Sequence, residues 1–111
     1  VEHGDMTDGW NPRRAGTGGS SYPDLPAEFS NLPFERGTVG MARTQNPNSA
    51  NSQFFIMFEE GAFLNGQYTV LGQVIDGMEH VDAIKSGTRQ NNGAIEGDPD
   101  RIMSATVAAD R

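Results

Sequence analysis

MARTQNPNSANSQFFIMF, residues 41–58, joins a polar loop of Asn, Ser, Thr and Pro to a short apolar run that opens with Gln53 and two adjacent phenylalanines. Successive side chains of a strand point to opposite faces. Phe54, Ile56 and Phe58 therefore share one face, and Gln53, Phe55 and Met57 the other. If the first set fills a core, the second presents an amide, an aromatic ring and a thioether outside it. A strand buried on both faces fits the same pattern.

Working outward, GTVGMAR (37–43) alternates Val39 and Met41 with Gly40 and Ala42. One face is apolar and the other nearly bare, which lets another group approach the backbone closely. Downstream, EEGAFLNG (59–66) carries Asn65-Gly66 as a turn, and QYTVLGQVI (67–75) reads as a third strand. A helix is expected next. Asp76 and Glu79 fit a capping box, Met78, Val81 and Ile84 form a stripe, and Lys85 precedes a stopping Gly87. RIMSATVAA (101–109) alternates as a fourth strand, while residues 1–29 read as a loop wrapping the scaffold and 88–100 as a second loop.

Gly and Pro supply 14 and 6 of the 111 residues, which favours turns and short strands in one β-rich domain. The net charge is −7 and Lys85 is the only lysine, so the basic face that nucleic acid requires is missing. No cysteine is present. That excludes disulfides, thiolate zinc sites and a thiol nucleophile, and leaves cytoplasmic and periplasmic locations equally open. No apolar run approaches the roughly 18 residues that span a bilayer, so no membrane partner is expected.

Taken in order, GTGG (16–19), RGTVGMAR (36–43), NSQFFI (51–56), AFLNGQYTVLGQVIDGMEHVDAI (62–84) and the closing strand resemble the later two-thirds of a cyclophilin domain, over essentially the whole chain. Each piece alone is weak; the combination is specific. The resemblance implies a peptidyl-prolyl cis–trans isomerase built on a closed eight-stranded antiparallel β-barrel capped by two helices. It places Gln53 and Phe55 in the proline-binding groove as catalytic-site residues, with Phe54 and Ile56 pointing into the barrel. It places Ala42 and the backbone of Arg43 along the groove, hydrogen-bonding substrate, and Phe63, Leu64 and Tyr68 on the far side of the proline pocket. The resemblance also implies that Thr17 gates a secondary pocket for the residues preceding proline. Phe63, Tyr68 and Arg43 stand where many members have Trp, His and Asn. These exchanges look bacterial, and without the indole N–H only weak binding of cyclosporin-like ligands is implied.

Rotation about an X–Pro bond meets a barrier of about 18–20 kcal/mol, because resonance stiffens the C–N bond. An apolar pocket for the ring and a donor that stabilises a pyramidal proline nitrogen lower it without covalent chemistry. Phe55, Phe63 and Leu64 supply the pocket, and the Gln53 amide can both donate and accept. The family's donor is an arginine in a Phe-His-Arg motif, accompanied by a Phe-Met-x-Gln segment. Neither motif occurs here, and Arg13, Arg14, Arg36, Arg43, Arg89, Arg101 and Arg111 all sit in other contexts.

Four strands also fall short of the about eight that close a barrel. The chain therefore reads as one domain, 1–111, lacking the N-terminal strands and first helix, and as a monomer once complete. Partners expected are proline-containing peptides and unfolded proteins, and no cofactor. A catalytically inactive proline-peptide binding module is the alternative, and a scaffold acting through its acidic surface a weaker third.

Other motifs have plainer readings. GTGG lacks the Gly-Lys-Ser/Thr spacing of a phosphate loop and serves as a turn. Glu2, His3, Asp5 and Asp8, and likewise Glu96, Asp98 and Asp100, lack calcium-loop spacing, so no metal is expected. His80 falls on the polar side of the helix, and Trp10 anchors its loop.

Overall fold

The computed structural model describes residues 19–84, 100 and 102–108. Among these, β1 (Thr38–Met41), β2 (Phe54–Ile56) and β3 (Val70–Gln73) form one antiparallel sheet in the order β2-β1-β3. A 3-10 helix, Ala62–Leu64, lies between β2 and β3, and α1 (Met78–Asp82) follows. The chain is mainly β with an antiparallel sheet and one α-helix among the described residues, and no closed barrel is formed by them. Among the described residues the expected fourth strand is not present: residues 102–107 carry no strand. Alternation specifies which face a residue takes, but a strand also needs a ladder partner.

Register explains the side chains. Gly40 pairs with Phe55, so both belong to one face of the sheet, while Val39 with Ile56 and Met41 with Phe54 share the other. The bare face at Gly40 is used by aromatic rings. A methyl group there would meet Phe55 Cζ and would lie 2.8 Å from Phe34 Cε1 and 2.9 Å from Phe55 Cε1. Phe34 is fully buried, and Gly40 and Thr38 are buried with it. On the β3 side the pairing passes from Val39–Gly72 to Gly40–Val70, which leaves Leu71 as a bulge residue with 62% exposure.

The core thus sits on the Phe55 side. Phe54 and Ile56, expected to be interior, are only half-buried, and Phe58 is 50% exposed. A single three-stranded layer covers one face with Phe34 and has no second described layer to cover the other.

The helix starts later than the sequence pattern suggests. Gly77, at φ 88°, is the N-cap, and no side chain caps the helix, so the expected Asp76–Glu79 box does not form. A left-handed residue at the cap turns the chain after Asp76, and the first helical bonds run to the Gly77 carbonyl from His80 and Val81. Met78 and Val81 are half-buried, whereas Ile84 is 49% exposed and lies beyond the helix. Lys85 and Gly87 fall outside the described residues. Arg36 holds α1 to the sheet through two bonds to the Asp82 carboxylate, 3.0 and 2.7 Å, and one of 2.9 Å to the Phe58 carbonyl.

Two expectations follow from this packing. Gly40→Ala should cost about 1–3 kcal/mol in urea unfolding, since buried rings must move. Gly72→Ala, where nothing lies within 4 Å, is the control, and equal losses would contradict the account. The second concerns pH. The Arg36 hydrogen bond holds the Asp82 carboxyl below its ordinary value. A lowered carboxyl pKa contributes stability above the unfolded value and loses it as pH falls through the folded one. Arg36→Gln should therefore show a small stability deficit at neutral pH, small because both side chains are about half exposed. The deficit should shrink as pH drops below about 4; one that persists unchanged into strong acid would refute the assignment.

Candidate functional site

The site grows from Phe55. Its ring stacks on Phe34 (centroids 5.6 Å, 27°) and meets Tyr68 edge-on (5.8 Å, 87°). Edge and offset contacts suit the ring quadrupole better than a face-to-face sandwich. Phe34 is the inner end of this series and is fully buried, while Phe55 and Tyr68 are half-buried and reach solvent. Arg43 forms the outer end, its Cζ 4.5 Å from the Tyr68 centroid.

Backbone bonds hold the neighbouring segments in place. The Ala42 N–H donates to the Gln53 carbonyl (3.0 Å) and the Met41 N–H to Thr69 (3.1 Å), so the chains leaving β1, entering β2 and entering β3 lie side by side. The structure thereby brings Ala42, Arg43, Gln53, Phe55 and Tyr68 together. It also commits the Ala42 N–H within the sheet.

Phe63 and Leu64 sit on the 3-10 helix, Phe63 at 77% exposure and Leu64 half-buried. Together with Met57 they gather about Gly61, where an added methyl would lie 3.5 Å from Phe63 Cε1 and 3.6 Å from Leu64 Cδ1. This second cluster joins the first through Phe34, whose carbonyl accepts the Gly61 N–H at 2.9 Å. The Phe34 N–H in turn donates to Asn65 Oδ1 at 2.7 Å. Thr17 lies outside the described residues.

The Asn-rich loop that opens the site has its own task. Asn51 accepts from the Ser20 N–H and hydroxyl at 2.7 Å each and donates to the Tyr22 carbonyl and Asp24 carboxylate. Asn48 accepts the Ala27 N–H at 2.9 Å, Thr69 Oγ1 accepts the Glu28 N–H at 3.0 Å, and Leu25 bridges to Ala50. These side chains supply the bonds that the irregular 19–28 segment cannot make to itself.

Two arginines lie among the described residues, and both are engaged. Arg36 is occupied by Asp82 and the Phe58 carbonyl. Arg43 donates to the Gln67 carbonyl from Nε (3.2 Å) and Nη2 (2.7 Å), and to Thr44 from Nη1 (2.8 Å). Among the described residues no group of His, Cys, Asp and Glu is placed to hold a metal. No described helix is long and apolar enough to cross a membrane.

Phe34 was not singled out by the sequence reading. Its signal is an apolar residue after Pro33 at the end of a polar loop, directly before the Gly37–Gly40 segment whose bare face needs a cover. The 3-10 helix was missed as well, since Ala-Phe-Leu is too short to show a period.

The chain is similar to known proteins along most of its length. The family described as "Cyclophilin type peptidyl-prolyl cis-trans isomerase/CLD" matches residues 1–107. The "Probable peptidyl-prolyl cis-trans isomerase" of Brucella abortus is 64% identical over 110 residues, covering 99% of this chain and 56% of that protein. Peptidyl-prolyl cis-trans isomerase B of Escherichia coli is 42% identical over 84 residues, covering 66% of this chain and 51% of that one. The chain thus spans about half the length of these curated relatives. A crystal structure of a Cryptosporidium parvum cyclophilin-type isomerase, determined in the presence of the dipeptide Ala-Pro, aligns with TM-score 0.57 and 35% identity, over 66% of this chain and 49% of that one.

The Asn65–Phe34 bond makes a direct forecast. Asn65→Ala strands a part-buried N–H and should cost about 1–3 kcal/mol, whereas Asn65→Asp keeps the acceptor and should cost less. Denaturant unfolding of both variants checks this, and equal losses would dismiss the bond as an anchor.

Proposed function

This chain belongs to the cyclophilin-type peptidyl-prolyl cis-trans isomerase family, and on that premise we propose that it takes part in binding X–Pro segments and accelerating their cis–trans rotation. The observation that carries the reading is the half-exposed Phe55 ring, wedged between Phe34 and Tyr68 beside the joined Ala42 and Gln53 segments. A pyrrolidine ring is apolar and flat enough to lie on such a surface, with Leu64 and Phe63 completing the pocket.

In this proposal the roles divide by chemistry. Phe55 excludes water from the proline ring. The Gln53 amide bonds a substrate carbonyl and orients the group that donates to the proline nitrogen. Because the Ala42 N–H is already used by Gln53, the peptide chain is met by the backbone of Arg43. Thr17 borders the subsite preceding proline. Substrates are exposed X–Pro bonds in flexible or unfolded chains, and the reaction needs no cofactor.

The finer architecture is part of the same proposal: chain outside these 111 residues supplies the strands that close the barrel and the arginine that donates to nitrogen. The edges of β2 and β3, which no further strand pairs among the described residues, and the half-exposed face of Phe54 and Ile56 support it. A second reading, a proline-peptide binding module without isomerase activity, is favoured by one observation: Arg36 and Arg43 are both engaged by other groups.

Exchange NMR on an Ala-Pro peptide separates the readings, because it detects binding and rotation in one sample. The enzyme reading expects faster cis–trans exchange that falls on the order of 10²-fold in Phe55→Ala and Gln53→Ala. Binding without faster exchange selects the module. Neither binding nor acceleration would sink both.

A further inference from the structure

We propose that Arg43 is a positioning residue that locks the aromatic wall of the groove: its guanidinium ties the Gln67 and Thr44 carbonyls together while lying on the Tyr68 ring. The proposal rests on the proline-groove reading above, and concerns the side chain of a residue whose backbone alone that reading uses.

Three bonds define the clamp. Nε and Nη2 converge on the Gln67 carbonyl at 3.2 and 2.7 Å, and Nη1 reaches the Thr44 carbonyl at 2.8 Å. These carbonyls belong to the loop after β1 and the turn before β3, the two segments that flank the groove. A planar fork can serve both at once; an ammonium, a single point of charge, cannot.

The same group then fixes two aromatic residues. With Cζ 4.5 Å from the Tyr68 centroid, the cation occupies one face of that ring. Tyr68 is thereby held edge-on to Phe55, whose own face rests on the fully buried Phe34. Gln67 extends the effect, since its Nε2 donates to the Phe63 carbonyl at 3.3 Å and so links the clamp to the 3-10 helix that carries Phe63 and Leu64. Loss of Arg43 leaves Tyr68 free to rotate away from Phe55 and loosens both walls together.

A wall that is ordered equally for bound substrate and transition state changes affinity more than turnover. Arg43→Gln, which removes charge and fork, should raise KM for a short X–Pro peptide about 3- to 10-fold, the scale of one cation–π contact, with kcat within about twofold. Arg43→Lys keeps the charge but not the fork, and should fall between.

The companion measurement does not depend on activity. Aromatic ring resonances of Tyr68 and Phe55 should shift in Arg43→Gln more than those of other rings, and Tyr68 ring rotation should quicken. Rings that stay unmoved, or a melting temperature that drops with KM unchanged, would overturn the positioning role. If the parent protein neither binds nor isomerises X–Pro peptides, the groove reading fails, while the ring resonances still decide for or against the clamp.

Discussion

The absence of a side chain at Gly40 is the constraint on which the rest of the site depends. With only hydrogen on the central strand, the Phe55 ring lies down on the β1 backbone and Phe34 closes over it. Any Cβ would lift Phe55 toward Tyr68 and separate it from Phe34. The stacking of Phe55 on Phe34, its edge-on contact with Tyr68 and the burial of Phe34 are therefore one packing decision made at one residue. Close packing transmits such a decision, because rings in contact have no free volume in which to adjust.

A second layer of control comes from amide side chains. Asn48 and Asn51 sit in sequence ahead of Phe55, and Asn65 ahead of Tyr68, and each accepts a backbone N–H from residues 20–34. A loop whose Tyr22, Leu25, Phe29 and Leu32 stay exposed cannot hold itself down by burial, so the scaffold supplies acceptors at fixed points. This answers why the apolar run of β2 follows so polar a loop: the polar residues fasten the chain that carries Phe34, and Phe34 fastens Phe55.

Much of this was legible in the sequence, and the failures have physical causes. Period-2 alternation located the centres of β1, β2 and β3 and separated Phe55 from Phe54 and Ile56, because face assignment is a local property of extended backbone. Burial was not local. Phe54, Ile56 and Phe58 looked interior by hydrophobicity, yet depend on a second layer to become so. Asp76 has the chemistry of a cap, but Gly77 can adopt φ 88° and took the position instead. Residues 102–107 alternate like a strand without forming one among the described residues. For the site, sequence resemblance gathered Ala42, Arg43, Gln53, Phe55 and Tyr68, which the structure places on adjoining segments. It said nothing of Phe34 or of where the Arg43 guanidinium goes, since both are settled by three-dimensional packing.

The central claim, that a proline ring packs on the Phe55 surface built over Gly40, is tested most directly by intermolecular nuclear Overhauser contacts between an Ala-Pro peptide and the protein. The account predicts contacts from the proline ring protons to Phe55 and Leu64, lost together in Gly40→Ala. Proline contacts confined to other residues, or retained unchanged when Gly40 gains a methyl group, would contradict it.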